Sequence, residues 1–181
     1  MSNVWYTLLM NEEKLLRLPV PLATKMLEYG WIVTGVPSIG IAYTVGLMEK
    51  FNHPEIAIHG LPVQTSYGFL QSIVKMIRDG KRFEPGQNYD EIAANFPTQF
   101  VVVDRENASW VGMVYNYNGP MFNALQMIWT DTKGKFPWEP DFEERFRDKQ
   151  HVLNVPVPYP ESGDSCCDAN CACNSKNNPV H

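Results

Sequence analysis

No cysteine occurs in the first 165 residues of this chain; all four lie in the last sixteen, at Cys166, Cys167, Cys171 and Cys173. A disulfide framework is therefore excluded for the body of the protein, which must hold by packing alone, as suits a reducing compartment. No apolar run comes near the ~20 residues that cross a bilayer. The first stretch, MSNVWYTLLMNEEKLLRLPV, has no basic leader and is interrupted by Glu12 and Glu13, which argues against a signal peptide and makes the cytosol the expected compartment. Long basic runs are absent too, and the formal net charge is -5, so nucleic acid is disfavoured as the main partner. The densest basic stretch, IRDGKRF, offers Arg78, Lys81 and Arg82; that is enough charge for one phosphate, and it is also what a solvated helix end looks like. There is no Gly-x-Gly-x-x-Gly before a helix, no phosphate loop, no His-Glu-x-x-His and no Gly-x-Ser-x-Gly elbow. Hydrolase, ATPase and Rossmann dehydrogenase readings recede, and whether the chain is an enzyme stays open.

What the chain does have is apolar and aromatic weight. Of its 181 residues 44% are hydrophobic and 12% aromatic, which suits one globular domain with a real core. NEEKLLRL has helical spacing with Asn11 as N-cap, and LATKMLEYG is a second helix stopped by Gly30. WIVTGV (31–36) and IAYTVGL (41–47) read as strands joined by the turn PSIG, and EIAIHGL (55–61) as a third strand with Ile56 and Ile58 on one face and Ala57 and His59 on the other. Strands this close in sequence pair antiparallel. The clearest helix follows: Pro62 starts it, Phe69, Leu70, Ile73, Val74 and Ile77 recur at helical spacing, and Gly80 closes it. A short helix is expected at 90–95, a strand at 98–104, a helix through ENASWVGMVYNYNGP and a last strand at 123–131. After about residue 150 proline, asparagine and serine take over, so the expected division is a domain over 1–150 and a mobile tail over 151–181. The fold class is α+β: about five mostly antiparallel strands, forming a sheet or a small barrel, with three to four helices packed outside.

Five strings bring a family into view: GxAYTxGL (Gly40 to Leu47), FxHPE (Phe51 to Glu55), GLP (Gly60 to Pro62), GKRFEPGQ (Gly80 to Gln87) and LQMIWTDTKGKFPWEP (Leu125 to Pro140). In order and spacing they closely resemble bacterial proteins grouped as domain of unknown function family 4262, from about Trp31 to Phe142. That resemblance implies no activity, since the family has none assigned. A YTxGL strand, a His-Pro loop and a strand ending in Gly-Leu are also similar to the opening of flavin-binding split-barrel proteins; that similarity implies a small antiparallel barrel holding flavin mononucleotide (FMN) at a dimer interface.

Several constellations carry chemistry and each has a plainer reading. His53 and Glu55, two apart on extended chain, share a face; a carboxylate beside an imidazole suits a general base, while the plainer reading has His53 capping the loop by a backbone hydrogen bond. Tyr43, if buried, needs a partner for its hydroxyl. Gln126 and the Trp129 indole could bind a ligand's edge, or be satisfied by neighbouring backbone. Phe83, Trp110, Tyr115, Tyr117, Trp129, Phe136 and Trp138 crowd the C-terminal half; rings beyond what a core absorbs could floor a pocket or cover a homodimer interface. The tail's CCDANCAC suits Zn(II) or Cu(I) on Cys166, Cys167, Cys171 and Cys173, with inert thiols as the alternative. The leading expectation is a small-molecule-binding domain for a nucleotide or flavin-like planar ring, contacted by Tyr43, His53, Glu55, Arg82, Gln126 and Trp129. The alternatives are a flavin-dependent split-barrel-like oxidoreductase and a protein-interaction domain with a metal-binding, thiol-rich tail.

Overall fold

The computed structural model describes residues 12–94 and 96–155. The Asn11 cap, the first ten residues and the four cysteines lie outside the described residues. After a helical turn at residues 12–15, helix α1 (Val20–Tyr29) opens on prolines and stops at Gly30, whose left-handed backbone (φ 77°) lets its N–H reach the Met26 carbonyl. Strands β1 (Ile32–Val36) and β2 (Ile41–Val45) form the expected hairpin, with Ile32 opposite Val45 and Val36 opposite Ile41. The turn between them is a single 3-10 turn, Pro37–Ile39. A short helix, α2 (Leu47–Phe51), leads through His53-Pro54 into β3 (Glu55–His59). Then come α3 (Val63–Arg78), β4 (Tyr89–Ala93), β5 (Phe96–Val102), a 3-10 segment (Arg105–Val111), α4 (Gly112–Asn118), β6 (Ala124–Trp129) and α5 (Glu144–Arg147).

The six strands make one open sheet in the order β1-β2-β3-β6-β5-β4. It does not close into a barrel, so the split-barrel frame is not reproduced. Four of the strand pairings are antiparallel; β3 and β6, at the centre, are parallel. A parallel pair needs a long crossover, and the whole stretch from α3 to α4 provides it. The sixth strand, β4, stands where a helix was expected at 90–95. Its burial misleads in a particular way: Tyr89 and Ile92 are buried while Asp90 and Glu91 are exposed. Residues three apart share a face here because the pairing with β5 shifts register between Tyr89 and Ala93, and a bulged strand copies helical spacing. Short α2 and α5 likewise take the helices past the three or four expected.

Each face of the sheet carries its own core. On one, α3 lays Leu70, Ile73, Val74 and Ile77 over Ala42, Ile56, Ile58, Leu125 and Met127, with Phe83 and Phe100 beside them. On the other, Met26 of α1 and Trp110, Val111, Val114 and Tyr117 cover Ile41, Tyr43, Val45 and Ala57. Among the described residues no helix is long and apolar enough to cross a membrane.

Of residues 151–155, which composition assigned to the tail, Leu153 belongs to this second core. Leu153 is completely buried. It is held at both backbone groups: its N–H donates to Gln126 Oε1 (2.7 Å), and its carbonyl accepts from the Asp104 N–H (2.7 Å) and Asn107 Nδ2 (2.9 Å). Earlier in the same clasp, the Gln150 amide pairs with both the N–H and the carbonyl of Trp129 (3.0 and 2.9 Å), copying a strand neighbour with a side chain.

One buried hydroxyl is out of place in this packing: Ser66 Oγ, in the first turn of α3, finds no hydrogen-bond partner among the described residues. An unmet buried hydroxyl is a cost, and alanine favours helix. Ser66→Ala is therefore expected to leave stability unchanged or raise it by about 1 kcal/mol, whereas Leu153→Ala should remove about 2–5 kcal/mol. Urea unfolding of both variants checks this; a clear loss in Ser66→Ala would mean the hydroxyl is satisfied.

Candidate functional site

The N-terminal ends of β3 and β6 and the C-terminal end of β5 meet at one edge of the sheet, because β3 and β6 run together and β5 runs against them. The loop after α3 folds over that edge. Between them lies a cleft of about 810 Å³, lined by Asn52, His53 and Pro54, by Arg82 to Pro85, by Val102 to Arg105 and by Phe122 to Leu125. Phe122 and Leu125 are buried and make its apolar floor.

His53 is buried at the cleft wall, with both ring nitrogens occupied by main chain. Nδ1 donates to the Pro54 carbonyl (2.7 Å), and Nε2 accepts from the Phe83 N–H (3.2 Å). These partners specify one neutral tautomer. Burial holds its pKa below the ordinary 6.5; the Pro54 bond opposes that, and Arg82 and Glu84 act on the ring in opposite senses. His53 thus ties the 81–84 stretch to the start of β3, as the loop-capping reading of the sequence has it.

Glu55 does not meet His53. Its carboxylate is completely buried behind the cleft and accepts from Thr44 Oγ1 (2.7 Å), the Gly46 N–H (2.8 Å) and the Met48 N–H (3.4 Å). The Thr44 hydroxyl in turn accepts from the Ile56 N–H (2.9 Å). Glu55 therefore secures the start of α2. At that helix's other end the Phe51 carbonyl accepts from the Arg82 guanidinium (2.7 Å), which brings Arg82 to the cleft. Burial lifts the Glu55 carboxyl from 4.5 to about 7, against the hydrogen bonds from Thr44, Gly46 and Met48.

The other three candidates lie away from the cleft. Tyr43 is in the middle of β2, buried under α4, with its hydroxyl accepting from the Met113 N–H (3.3 Å). Gln126 donates to the His151 carbonyl (2.6 Å) and accepts from Leu153 N–H, so its amide serves the clasp. Trp129 sits at the far end of β6, about 16 Å along the strand from Ala124 at ~3.3 Å per residue. Its indole N–H donates to the His59 carbonyl (2.8 Å) and its ring meets Phe146 edge-on. The aromatic surplus follows the same pattern. Phe83, Trp110, Tyr117 and Phe136 are buried, and the rings left over, Tyr115 and Trp138, are on the surface rather than in the cleft.

A second concavity, of about 600 Å³, lies at the opposite end of the sheet beside His59, Trp110, Lys149 and His151. Main chain occupies both ring nitrogens of His59 too: Nε2 donates to the Ile39 carbonyl and Nδ1 accepts from the His151 N–H, both at 3.0 Å. Burial first, and then the nearby His151, depress its pKa to about 4. No group of three or more metal-ligating side chains occurs among the described residues.

Sequence reasoning missed Glu84, Asp104, Arg105 and Phe122. Their one signal was position: two charged pairs flank segment ends that become neighbours only through the parallel β3–β6 pairing.

An open α+β sheet with helices on both faces and a cleft of mixed charge at one edge defines a domain class rather than an activity. The chain belongs to the family described as Domain of unknown function (DUF4262), whose model matches residues 25–143. That span runs from α1 to the residue before α5 and takes in all six strands and the whole cleft. No curated protein and no solved structure matches the chain.

Glu55 gives a pH test of this arrangement. Between pH 4.5 and about 7 the folded protein keeps a proton that the unfolded chain has released. Its contribution is fully present below pH 4.5 and is lost as pH rises through about 7. Relative to Glu55→Gln, the wild type should lose about 3 kcal/mol across that window. Urea unfolding at several pH values reads the difference, which cancels the other titrating groups; parallel curves would refute it.

Proposed function

We propose that this protein is a small-molecule-binding domain and that its ligand, a planar ring carrying an anionic group as in a nucleotide or flavin mononucleotide, occupies the cleft beside His53. The observation that carries the reading is the cleft's make-up. It has room for a ligand of that size, an apolar floor of Phe122 and Leu125, and two guanidinium groups, Arg82 and Arg105, at its walls. Arg82 is positioned in advance by its bond to Phe51, so fewer rotamers are lost on binding. His53 contributes through structure: its imidazole fixes the wall that Phe83 and Arg82 stand on. Flavin chemistry, if FMN is the occupant, would be the cofactor's own, with the protein supplying position and dipoles.

Melting curves with a panel of nucleoside monophosphates and FMN test the reading. A ligand at a hundred times its dissociation constant should raise the melting temperature by about 5–10 °C. Arg82→Ala and Arg105→Ala should each weaken binding by about tenfold or more, the loss of one charge-assisted contact. A flat response across the panel would remove the proposal, and yellow purified protein would convert it to the oxidoreductase form.

A further inference from the structure

Charge of both signs surrounds the cleft, and no ion pair among the described residues neutralises it. Arg82 and Glu84 stand on either side of the buried Phe83 in the loop after α3. Both are exposed and both line the cleft. Across from them Asp104 and Arg105 follow β5. Among the described residues none of these four enters an ion pair. Two of them have work already. Arg82 gives one N–H to the Phe51 carbonyl, and Asp104 Oδ1 accepts from the Glu106 N–H (2.9 Å), capping the 3-10 segment. The Glu84 carboxylate has no hydrogen-bond partner among the described residues.

A ligand that is only anionic would meet two carboxylates along with the two guanidinium groups. An apolar one would desolvate four ions for nothing in return. The set is satisfied by a molecule with two unlike ends.

We infer that the cleft selects a bipolar ligand, whose anionic group is held by Arg82 and Arg105 and whose ammonium or ring N–H donors face Glu84, with the body of the molecule over Phe122 and Leu125. This rests on the small-molecule reading above and narrows it. Two sources supply such chemistry: a nucleotide whose base carries N–H donors, and a free amino acid with an aromatic side chain.

Calorimetric titration with matched pairs separates them. Guanosine 5′-monophosphate is set against purine riboside 5′-monophosphate, which keeps the phosphate, ribose and ring frame and lacks the ring donors. Phenylalanine is set against 3-phenylpropanoate, which lacks the ammonium. The wild type should prefer the donor-bearing member of one pair by about tenfold or more, and the pair showing it names the source. Glu84→Ala, at an exposed position, should bring that ratio close to one. Arg82→Ala should weaken both members of the pair alike. Equal affinities within a pair that binds, or a preference that survives Glu84→Ala, would overturn the inference and leave the small-molecule reading standing. Failure of all four compounds to bind would overturn the inference, and the melting curves with the nucleotide and FMN panel decide the small-molecule reading separately.

Discussion

At the middle of the sheet β3 and β6 run in the same direction, and the cleft depends on that pairing. It sets Glu55 opposite Ala124, with the Glu55 N–H donating to the Asn123 carbonyl at 2.9 Å. Everything at the cleft edge is then assigned. The loop before β3 brings His53 and Pro54, the loop before β6 brings Phe122 and Asn123, and β5, antiparallel to β6, ends at the same place with Asp104 and Arg105. Had β6 joined β3 in the opposite sense, Trp129 would have stood beside His53, as the residue pattern alone suggests.

Behind the cleft a single buried carboxylate organises the wall. Glu55 gathers the N–H groups of Gly46 and Met48, so α2 begins where it does; α2 then ends with Phe51 presenting its carbonyl to Arg82. The guanidinium's position is thus referred back through one short helix to an acid that touches no solvent. Burying a carboxylate is expensive, and this one holds its proton up to about pH 7. It is the place where the packing of the domain and the electrostatics of its surface are most tightly joined.

Much of this was legible in the sequence. The β1–β2 hairpin, β3, the apolar stripe of α3, β5 and β6 follow from alternation and helical spacing, because each buries one regular face. The β4 strand was hidden by its bulge, which put Tyr89 and Ile92 at a helix-like interval. Of the site residues, His53 and Arg82 belong to the cleft, since they sit on a turn and a loop that face it. Tyr43, Gln126 and Trp129 were chosen as polar groups in need of partners, and the partners are backbone: Met113, His151 with Leu153, and His59. Sequence shows that such a group must be satisfied but not by whom. Arg105 and Glu84 went unseen because neither breaks any local rule; only three-dimensional adjacency sets them apart.

The strand that completes the sheet is also the last one made. Until residues 124–129 leave the ribosome, β3 and β5 each present a bare row of peptide groups, one closing a three-stranded meander and the other a hairpin. Two half-sheets wait with their edges open, and the polypeptide that must slide between them arrives after the other five strands are already out. Exposed edges of this kind invite pairing with neighbouring chains. Biosynthesis therefore hands this domain a vulnerable interval that its finished form conceals, since nothing in the completed sheet reveals that its innermost member was inserted last.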